Sequence, residues 1–588
     1  MSINDEIIAQ WLEQEVSDEE EVLNEDASDV ELDVAEDVLQ EDSESVSKDS
    51  KSGSSSEEEQ NEVPLVQYQT TIRNYFGKNR FRWSSKPCTS RSRTPRHNIV
   101  SQVPGVKPAY RDILTKDTTP LDIWKLYFTD EMLEKIVQHT NEKIRKMRPQ
   151  YKKQTNVQDT DLMELKAFIG LLFYSAIFKE NHEHYTSWYN TDGSGREIYR
   201  CVMSRSRLEV LLNAIRFDDA ETREQRREVD LSAPISELFA LFIQQCQKVY
   251  NIGTCACVDE MLVAFRGRCK FKMYMPKKPA KYGLKIMCLT DATNGYLLNV
   301  YIYLGKGSDG HTLTAEQQRL SKPTQAVLRL ISVIERTNRN ITADNWFCSV
   351  ELVNILKDKQ LTLVGTLKKN KREIPPEFMA SKKRAVESSV FGFTKDMTLS
   401  SYVPKKNKAV VIISSMHHTA SVDENTKKPE IIMYYNKTKI GVDLLDQRCS
   451  NYSTARRTQR WPMVIFYRLL DISLSNAYII SLCNQAQRTR SRFKFIKQLA
   501  EQLIRPHMER RRTNEHIPRD LRSSIDRILK IEGEISSSSS ADKLETRKTC
   551  STCDPKKKRK TFHLCFVCKN PICIECSQKM CRNCREKN

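Results

Sequence analysis

Four aspartates stand where a carboxylate must be compensated or put to use. Asp259 interrupts the apolar run Cys-Ala-Cys-Val-Asp-Glu-Met-Leu, and a charge inside such a strand is costly unless something pairs with it. Asp344 ends Asn-Ile-Thr-Ala-Asp, just before Trp346 and Phe347, whose rings can pin the backbone. Asp443 and Asp446, in Gly-Val-Asp-Leu-Leu-Asp-Gln, are three apart and share a helix face. Carboxylates that meet from several elements can hold two divalent ions about 4 Å apart, Mg2+ or Mn2+. Such a pair activates a water or a 3′-hydroxyl and stabilises the leaving oxygen of an in-line phosphodiester attack. Each acid taken alone also fits a cap, a turn or a solvated helix face, so the chemical reading rests on the set.

The second constellation is a tail of eight cysteines in four CxxC pairs: Cys550 and Cys553, Cys565 and Cys568, Cys573 and Cys576, Cys581 and Cys584. Thiolates at this spacing suit two tetrahedral Zn2+ ions, each x2 turn offering two sulfurs to one ion. A segment this small has almost no core, so the metal would supply most of its folding energy. A cross-brace would put Cys550, Cys553, Cys573 and Cys576 on one ion and Cys565, Cys568, Cys581 and Cys584 on the other; sequential pairing is the alternative. His563 could substitute for a ligand but is not needed.

Bases surround both constellations. Lys556, Lys557, Lys558, Arg559 and Lys560 form a run inside the first cysteine loop, which reads as a nuclear import signal, a phosphate grip, or both. Arg266, Arg268, Lys270 and Lys272 alternate after Asp259, followed by Lys277, Lys278, Lys281 and Lys285; Arg456, Arg457, Arg460 and Trp461 follow the last acids. Phosphate gripping is the functional reading, and a solvated face the bland one.

The elements that must position the acids follow from periodicity. Residues 112–253 carry helical apolar faces, for example Leu121, Trp124, Phe128, Met132, Leu133 and Ile136. Three consecutive strands are expected at 254–262, 282–290 and 296–304, then a helix at 326–336, a strand at 340–343, a helix at 350–357 and a strand at 361–367. That order, β-β-β-α-β-α-β, is the order of an RNase H-like α/β core, in which the first strand, the fourth strand and a late helix converge at one edge. Residues 368–429 interrupt the core, helices are expected at 438–449, 461–484 and 520–531, and Ser536–Ser540 is a five-serine linker.

Composition narrows the classes. The chain has 588 residues and a formal net charge of +18. Residues 1–62 hold 23 acids against two bases, Lys48 and Lys51, and read as a disordered acidic tail. The rest carries +39, a balance that favours a polyanionic partner. Residues 63–111 contain ten bases and no acid, with Tyr75, Phe76, Phe81 and Trp83 among them; they read equally as a nucleic-acid grip or a linker. The longest strongly apolar stretch, Ala167–Phe178, is too short to cross a bilayer, so no membrane partner is expected. The N-terminus lacks a secretion signal, which favours thiols and metal ligands over disulfides among the 18 cysteines.

At these residues the sequence resembles the piggyBac transposase family, most closely its insect-type enzymes. The matching stretches include LDIWKLYFTDE, MSRSRLEVLLNAIRFDD, VDEMLVAFRGRCKFKMYMPKKPAKYGLKI, ITADNWFCS, VGTLKKNKREIP, MYYNKTKIGVDLLDQ and RWPM. The resemblance implies that Asp259, Asp344 and Asp443 are catalytic, that Asp446 matches a fourth acid, and that Trp461 matches a tryptophan near the active site. It implies cut-and-paste DNA transposition: nicking, hairpin formation at inverted-repeat transposon ends, and joining at TTAA targets, by a nuclear homodimer. Cys576 falls where the family usually has a zinc-ligating histidine. The implied organisation is a disordered region over 1–111, a helical dimerisation and DNA-binding domain in two parts (112–253 and 453–530), a catalytic domain in two parts (254–368 and 430–452), an insertion domain at 369–429, a linker at 531–544 and a zinc module at 545–588. Two rivals remain at this point: a retired transposase kept as a DNA-binding regulator, and a cross-brace ubiquitin ligase, for which the four-residue gap before the last cysteine pair is short.

Overall fold

The computed structural model describes residues 72–87, 99–100, 102–276, 278–484, 491–530, 543–554, 557, 559–565 and 568–577. The acidic segment 1–62, the 531–542 linker residues, Lys556, Lys558, Cys581 and Cys584 lie outside them. The chain forms two compact units, one ending at Met508 and the other starting at Glu509.

The core of the first unit is a mixed sheet. Cys255–Ala264 pairs antiparallel with Tyr282–Asp291, which pairs antiparallel with Leu297–Ile302. On its other side Cys255–Ala264 runs parallel to Asn340–Ala343, which runs parallel to Thr362–Thr366. Parallel neighbours need crossover connections, and the helices Lys322–Ile331 and Val350–Asp358 supply them. The strand and helix order matches the expected one, with a short extra strand, Lys272–Tyr274, beside Tyr282–Asp291. The central strand is buried on both faces apart from Asp259, Glu260 and its last residue, as a strand flanked by parallel neighbours should be.

Helices from both sides of the core sequence pack together. The Trp124 indole N–H donates to Ser473 Oγ at 2.8 Å, and Gln502 Oε1 accepts from the Leu121 N–H at 3.0 Å. The Asn476 amide accepts from and donates to the Leu297 backbone, both at 3.0 Å, sewing Trp461–Leu482 to the sheet. That helix is long and apolar enough to cross a membrane by length and composition, contrary to the expectation that no segment reaches that size; it is buried within the fold instead. Arg468 and Asp471 interrupt its apolar run in the sequence.

Three further differences have local causes. The stretch read as disordered over 1–111 contains a hairpin, Asn74–Phe76 with Arg82–Ser84, whose second strand joins Ser389–Phe393. Trp83 is wholly buried there, its indole N–H donating to the Glu373 carbonyl at 2.8 Å, and Tyr75 meets Phe378 edge-on at 5.4 Å. Gly77 lies so close to Arg372 that a Cβ would come within 2.5 Å of its carbonyl oxygen. Trp83 is buried and Tyr75 and Phe81 half-buried, while Phe76 is exposed, so the described residues 72–87 are no loose linker. Secondly, the 369–429 insertion adds strands to the core sheet: Lys408–Ser414 pairs antiparallel with Thr362–Thr366, and Thr398–Lys405 and Ser389–Phe393 follow, making one eleven-stranded sheet that ends at the hairpin. Thirdly, the helix expected at 438–449 is found as Gly441–Asn451, and a separate helix that was not expected, Glu430–Thr438, precedes it. Replacing Trp83 by alanine should lower stability by about 3–5 kcal/mol, the usual cost of emptying an aromatic site. Thermal unfolding checks this: an unchanged transition means the hairpin is not fastened as described.

Candidate active site and metal centre

Asp259 and Asp344 meet because their strands are parallel neighbours. Val258 lies opposite Ala343 in the ladder, so the next residue of each chain emerges at the same edge. Asp344 closes a tight turn, its Oδ1 accepting the Trp346 N–H at 2.8 Å. The third contribution comes from the Gly441–Asn451 helix, which lands on the Asp259 face of the sheet. Cys257, two residues before Asp259 and hence on the same face, donates its thiol to the Lys439 carbonyl at 3.0 Å. Gly441 permits the close landing: a Cβ there would sit 2.7 Å from Thr290 Oγ1 and 2.8 Å from the Asp291 carbonyl. Asp443 and Asp446 ride on this helix.

The acids act on one another. Burial pushes the half-buried Asp259 carboxyl up to about 8, with the neighbouring Glu260 and Asp344 adding to the rise and Lys278 and the Glu260 N–H easing it. Burial raises Asp344 too; the Trp346 N–H counters this and Glu260 reinforces it. Asp443, though reached by solvent, is raised by partial desolvation first, against Lys278 and Lys439 and with Asp446 and Glu260. Lys278 sits among them, its Nζ 3.3 Å from the Glu260 carbonyl oxygen. Burial works against its charge, but Asp259, Glu260, Asp443 and Asp446 outweigh that and raise its pKa. Asp446 differs from the other acids: its Oδ1 accepts from Arg468 Nη1 at 3.2 Å. Negative charge in excess of what the local lysines offset is a donor set that suits divalent cations, and Asp259, Asp344 and Asp443 are the residues that could hold them.

Glu260 and Arg468 were not singled out from sequence, and Lys278 was named only within a row of bases read as gripping phosphate, not as a partner of the acids. The signal for Glu260 was present, a second acid in an apolar strand. For Lys278 and Arg468 only the fold reveals the partner.

In the second unit, Cys550, Cys553, Cys573 and Cys576 place their sulfurs all within 4.8 Å of one another, a group able to hold a metal ion. Among the described residues no set of three carboxylates reaches that spacing. This is one half of the cross-brace arrangement. Cys565 and Cys568 do not join this group, and their expected partners Cys581 and Cys584 are outside the described residues. The Cys573 N–H donates to Cys550 Sγ at 3.3 Å, and this bond leads the lowering of the Cys550 thiol to about 6. In the basic run, Lys557 and Lys560 are exposed and Arg559 pairs with Glu575.

The bases expected on DNA divide. Arg266, Arg268, Lys281 and Arg457 are exposed, and the alternation from Phe265 to Phe271 survives although that segment is a loop. Arg456 is turned inward, a correction to its reading as a DNA contact: its guanidinium stacks 3.9 Å from the Trp188 ring centre and donates to the Glu180 and Glu183 carbonyls. Arg460 donates to the Leu212, Asn213 and Ile215 carbonyls but, unlike Arg456, still lines an open cavity. Trp461 meets Phe271 edge-on at 5.1 Å. Arg456→Ala should therefore cost about 2–3 kcal/mol of stability through lost hydrogen bonds and ring contact, while the salt dependence of DNA binding stays as in the unaltered protein. A flattened salt dependence at unchanged stability would return Arg456 to the DNA surface.

Comparison with known proteins identifies relatives of this fold. A protein-family model described as "Transposase IS4" matches residues 119–478. A cryo-EM structure of a piggyBac transposase synaptic complex with hairpin DNA is similar at 37% identity and a TM-score of 0.72, over 82% of this chain and 100% of that one. Human PiggyBac transposable element-derived protein 2 is 21% identical over 408 residues, 65% of this chain and 64% of the relative. Human PiggyBac transposable element-derived protein 3 is 22% identical over 385 residues, 62% of each. The match thus spans just under two thirds of these human relatives. A family model covering most of the chain, together with a like-folded relative matched along its whole length, places this chain in the piggyBac-type transposase family.

Proposed function

We propose that this protein is a DNA transposase that excises and inserts its element by nicking, hairpin formation at inverted-repeat ends and joining at TTAA targets. The observation that carries the reading is the placement of Asp259 and Asp344 at one end of two parallel strands, with Asp443 on the helix that lands on the same face and Lys278 felt by Asp259 and Asp443. Family membership and the hairpin DNA in the similar solved complex support it. Asp259, Asp344 and Asp443 would hold Mg2+, and the bound ions supply Lewis-acid activation of the attacking oxygen and stabilisation of the leaving one. The chain's own part is positioning. The Trp346 N–H fixes the Asp344 carboxylate, Gly441 brings Asp443 down onto the sheet, Arg468 orients Asp446, and Lys278 offsets part of the charge. The exposed Arg266, Arg268, Lys281 and Arg457 would grip DNA phosphates. The zinc module, a homodimer and a nuclear location belong to the same reading.

The names of the human relatives, transposable element-derived proteins, favour one second reading, a DNA-binding regulator without transposition; the gathered acids weigh against it. Incubation with Mg2+ and DNA bearing the element's ends decides between them. Hairpinned products are expected, and binding without any strand cleavage overturns the enzymatic reading.

A further inference from the structure

A cavity of about 310 Å3 opens beside the first turn of Trp461–Leu482, between the segment after Arg205–Ala214 and the helix Arg223–Val229. Its charged lining is Arg216, Arg223, Arg227 and Arg460 against one acid, Asp218. Asp218 is already spent: Arg223 Nε donates to it at 2.9 Å and Arg226 Nη2 at 2.7 Å. Among the described residues the Arg216 guanidinium donates only to the Asn213 and Ile215 carbonyls, at 3.0 and 2.8 Å, and the Arg460 guanidinium only to carbonyls. Among the described residues no carboxylate is in ion-pair contact with Arg216, Arg227 or Arg460.

The charges feel one another. Burial, and then neighbouring arginines, hold Arg216 and Arg460 down at about 10, with Asp218, shared with Arg223 and Arg226, offsetting this only in part at Arg216. Lys143 is lowered by burial and then by these same two arginines. Cations that depress each other in a partly enclosed space lack an anion. The guanidinium fork matches phosphate oxygens in geometry and charge. The cavity exceeds a phosphate in size, and its remaining wall includes Phe217 and Trp461.

We infer that this cavity is a phosphate pocket that takes one backbone phosphate of bound DNA, with the adjoining deoxyribose against Phe217 and Trp461. The inference rests on the DNA-binding reading above and adds a site to it.

The test is a salt titration of full-length protein on a duplex of about 30 base pairs without divalent metal, so that cleavage does not intervene. Each phosphate gripped contributes about 0.9 to the slope of log K against log salt. Arg227→Gln and Arg216→Gln should each reduce the slope by about 0.9, and the double variant by no more than either, because both serve one phosphate. The Arg227 side chain has no hydrogen bond or ion pair among the described residues, so its variant reads the pocket even where Arg216→Gln fails to fold. An unchanged slope in Arg227→Gln overturns the pocket, as does strict additivity in the double variant. Failure of the unaltered protein to bind the duplex overturns the functional reading, and the pocket with it.

Discussion

Asp259→Asn, Asp344→Asn and Asp443→Asn should each lower DNA strand cleavage by at least about 10³-fold, while binding of the same DNA stays within a few-fold of the unaltered protein. Asparagine keeps the shape of each side chain but removes the charge that would hold a divalent cation, and with it the electrostatic stabilisation of the transition state. Burial first, and then Glu260, raises all three acids, with Asp344 also raising Asp259, so a neutral asparagine removes a carboxylate the fold holds at a cost; the folded state should not suffer. Asp446→Asn should be milder and retain a trace of activity, because Asp446 is bonded to the buried Arg468 and supports the helix that presents Asp443. Gel analysis of end-labelled DNA with Mg2+ measures all four. Full cleavage by any of the first three variants would remove that residue from the active site.

The second large effect concerns the cysteines. Removing the metal, or replacing Cys553 or Cys573 by serine, should unfold the module that includes Lys543–Thr549 and Lys560–His563 and leave the unit ending at Met508 with its own unfolding transition. Few described side chains of this module are buried, Cys550 and Thr561 among them, so no apolar core can replace the metal. Structural zinc supplies about 10–16 kcal/mol to comparable small modules. Cys553 Sγ lies 3.5 Å from Cys573 Sγ and 3.4 Å from Cys576 Sγ, so either substitution opens the same shell. Limited proteolysis before and after chelation is the measurement, with recognition of transposon-end DNA expected to fall in parallel. A module that stays protease-resistant without metal would mean the thiols are not its scaffold.

The central strands were legible because their apolar runs are bounded by turn signals, and the sheet formed where those runs stood. Asp259 and Asp344 were legible because each breaks a local rule, and the fold sets them at one end of adjacent parallel strands, with Asp443 on a helix over the same face. What escaped the sequence reading has physical reasons. The hairpin at Asn74–Phe76 and Arg82–Ser84 has strands of three residues each, among bases, and only its distant partners, Glu373 and Phe393, make Trp83 a core residue. Arg492–Arg512 hides its apolar face, Phe495, Leu499, Leu503 and Ile504 included, among basic residues and contains Pro506. Arg456 looked like a phosphate contact because composition cannot tell a guanidinium stacked on an indole from one facing solvent.

The continuity of the sheet has a mechanical consequence. From Ser389–Phe393, hydrogen-bonded ladders run through Thr398–Lys405, Lys408–Ser414 and Thr362–Thr366 to Asn340–Ala343, whose next residue is Asp344, with one irregularity near Tyr402; the Arg82–Ser84 strand joins through a single pair, Ser84 with Phe393. An inserted segment joined to its host through a loop could swing as a lid, but one joined through a ladder bends only by breaking the ladder. The strands Ser389–Phe393, Thr398–Lys405 and Lys408–Ser414 and the strand end that carries Asp344 therefore move as one plate. Any hinge that lets this protein close on DNA must lie off that plate, and a cross-link fixing Ser389–Phe393 to Thr362–Thr366 should leave the working motion untouched.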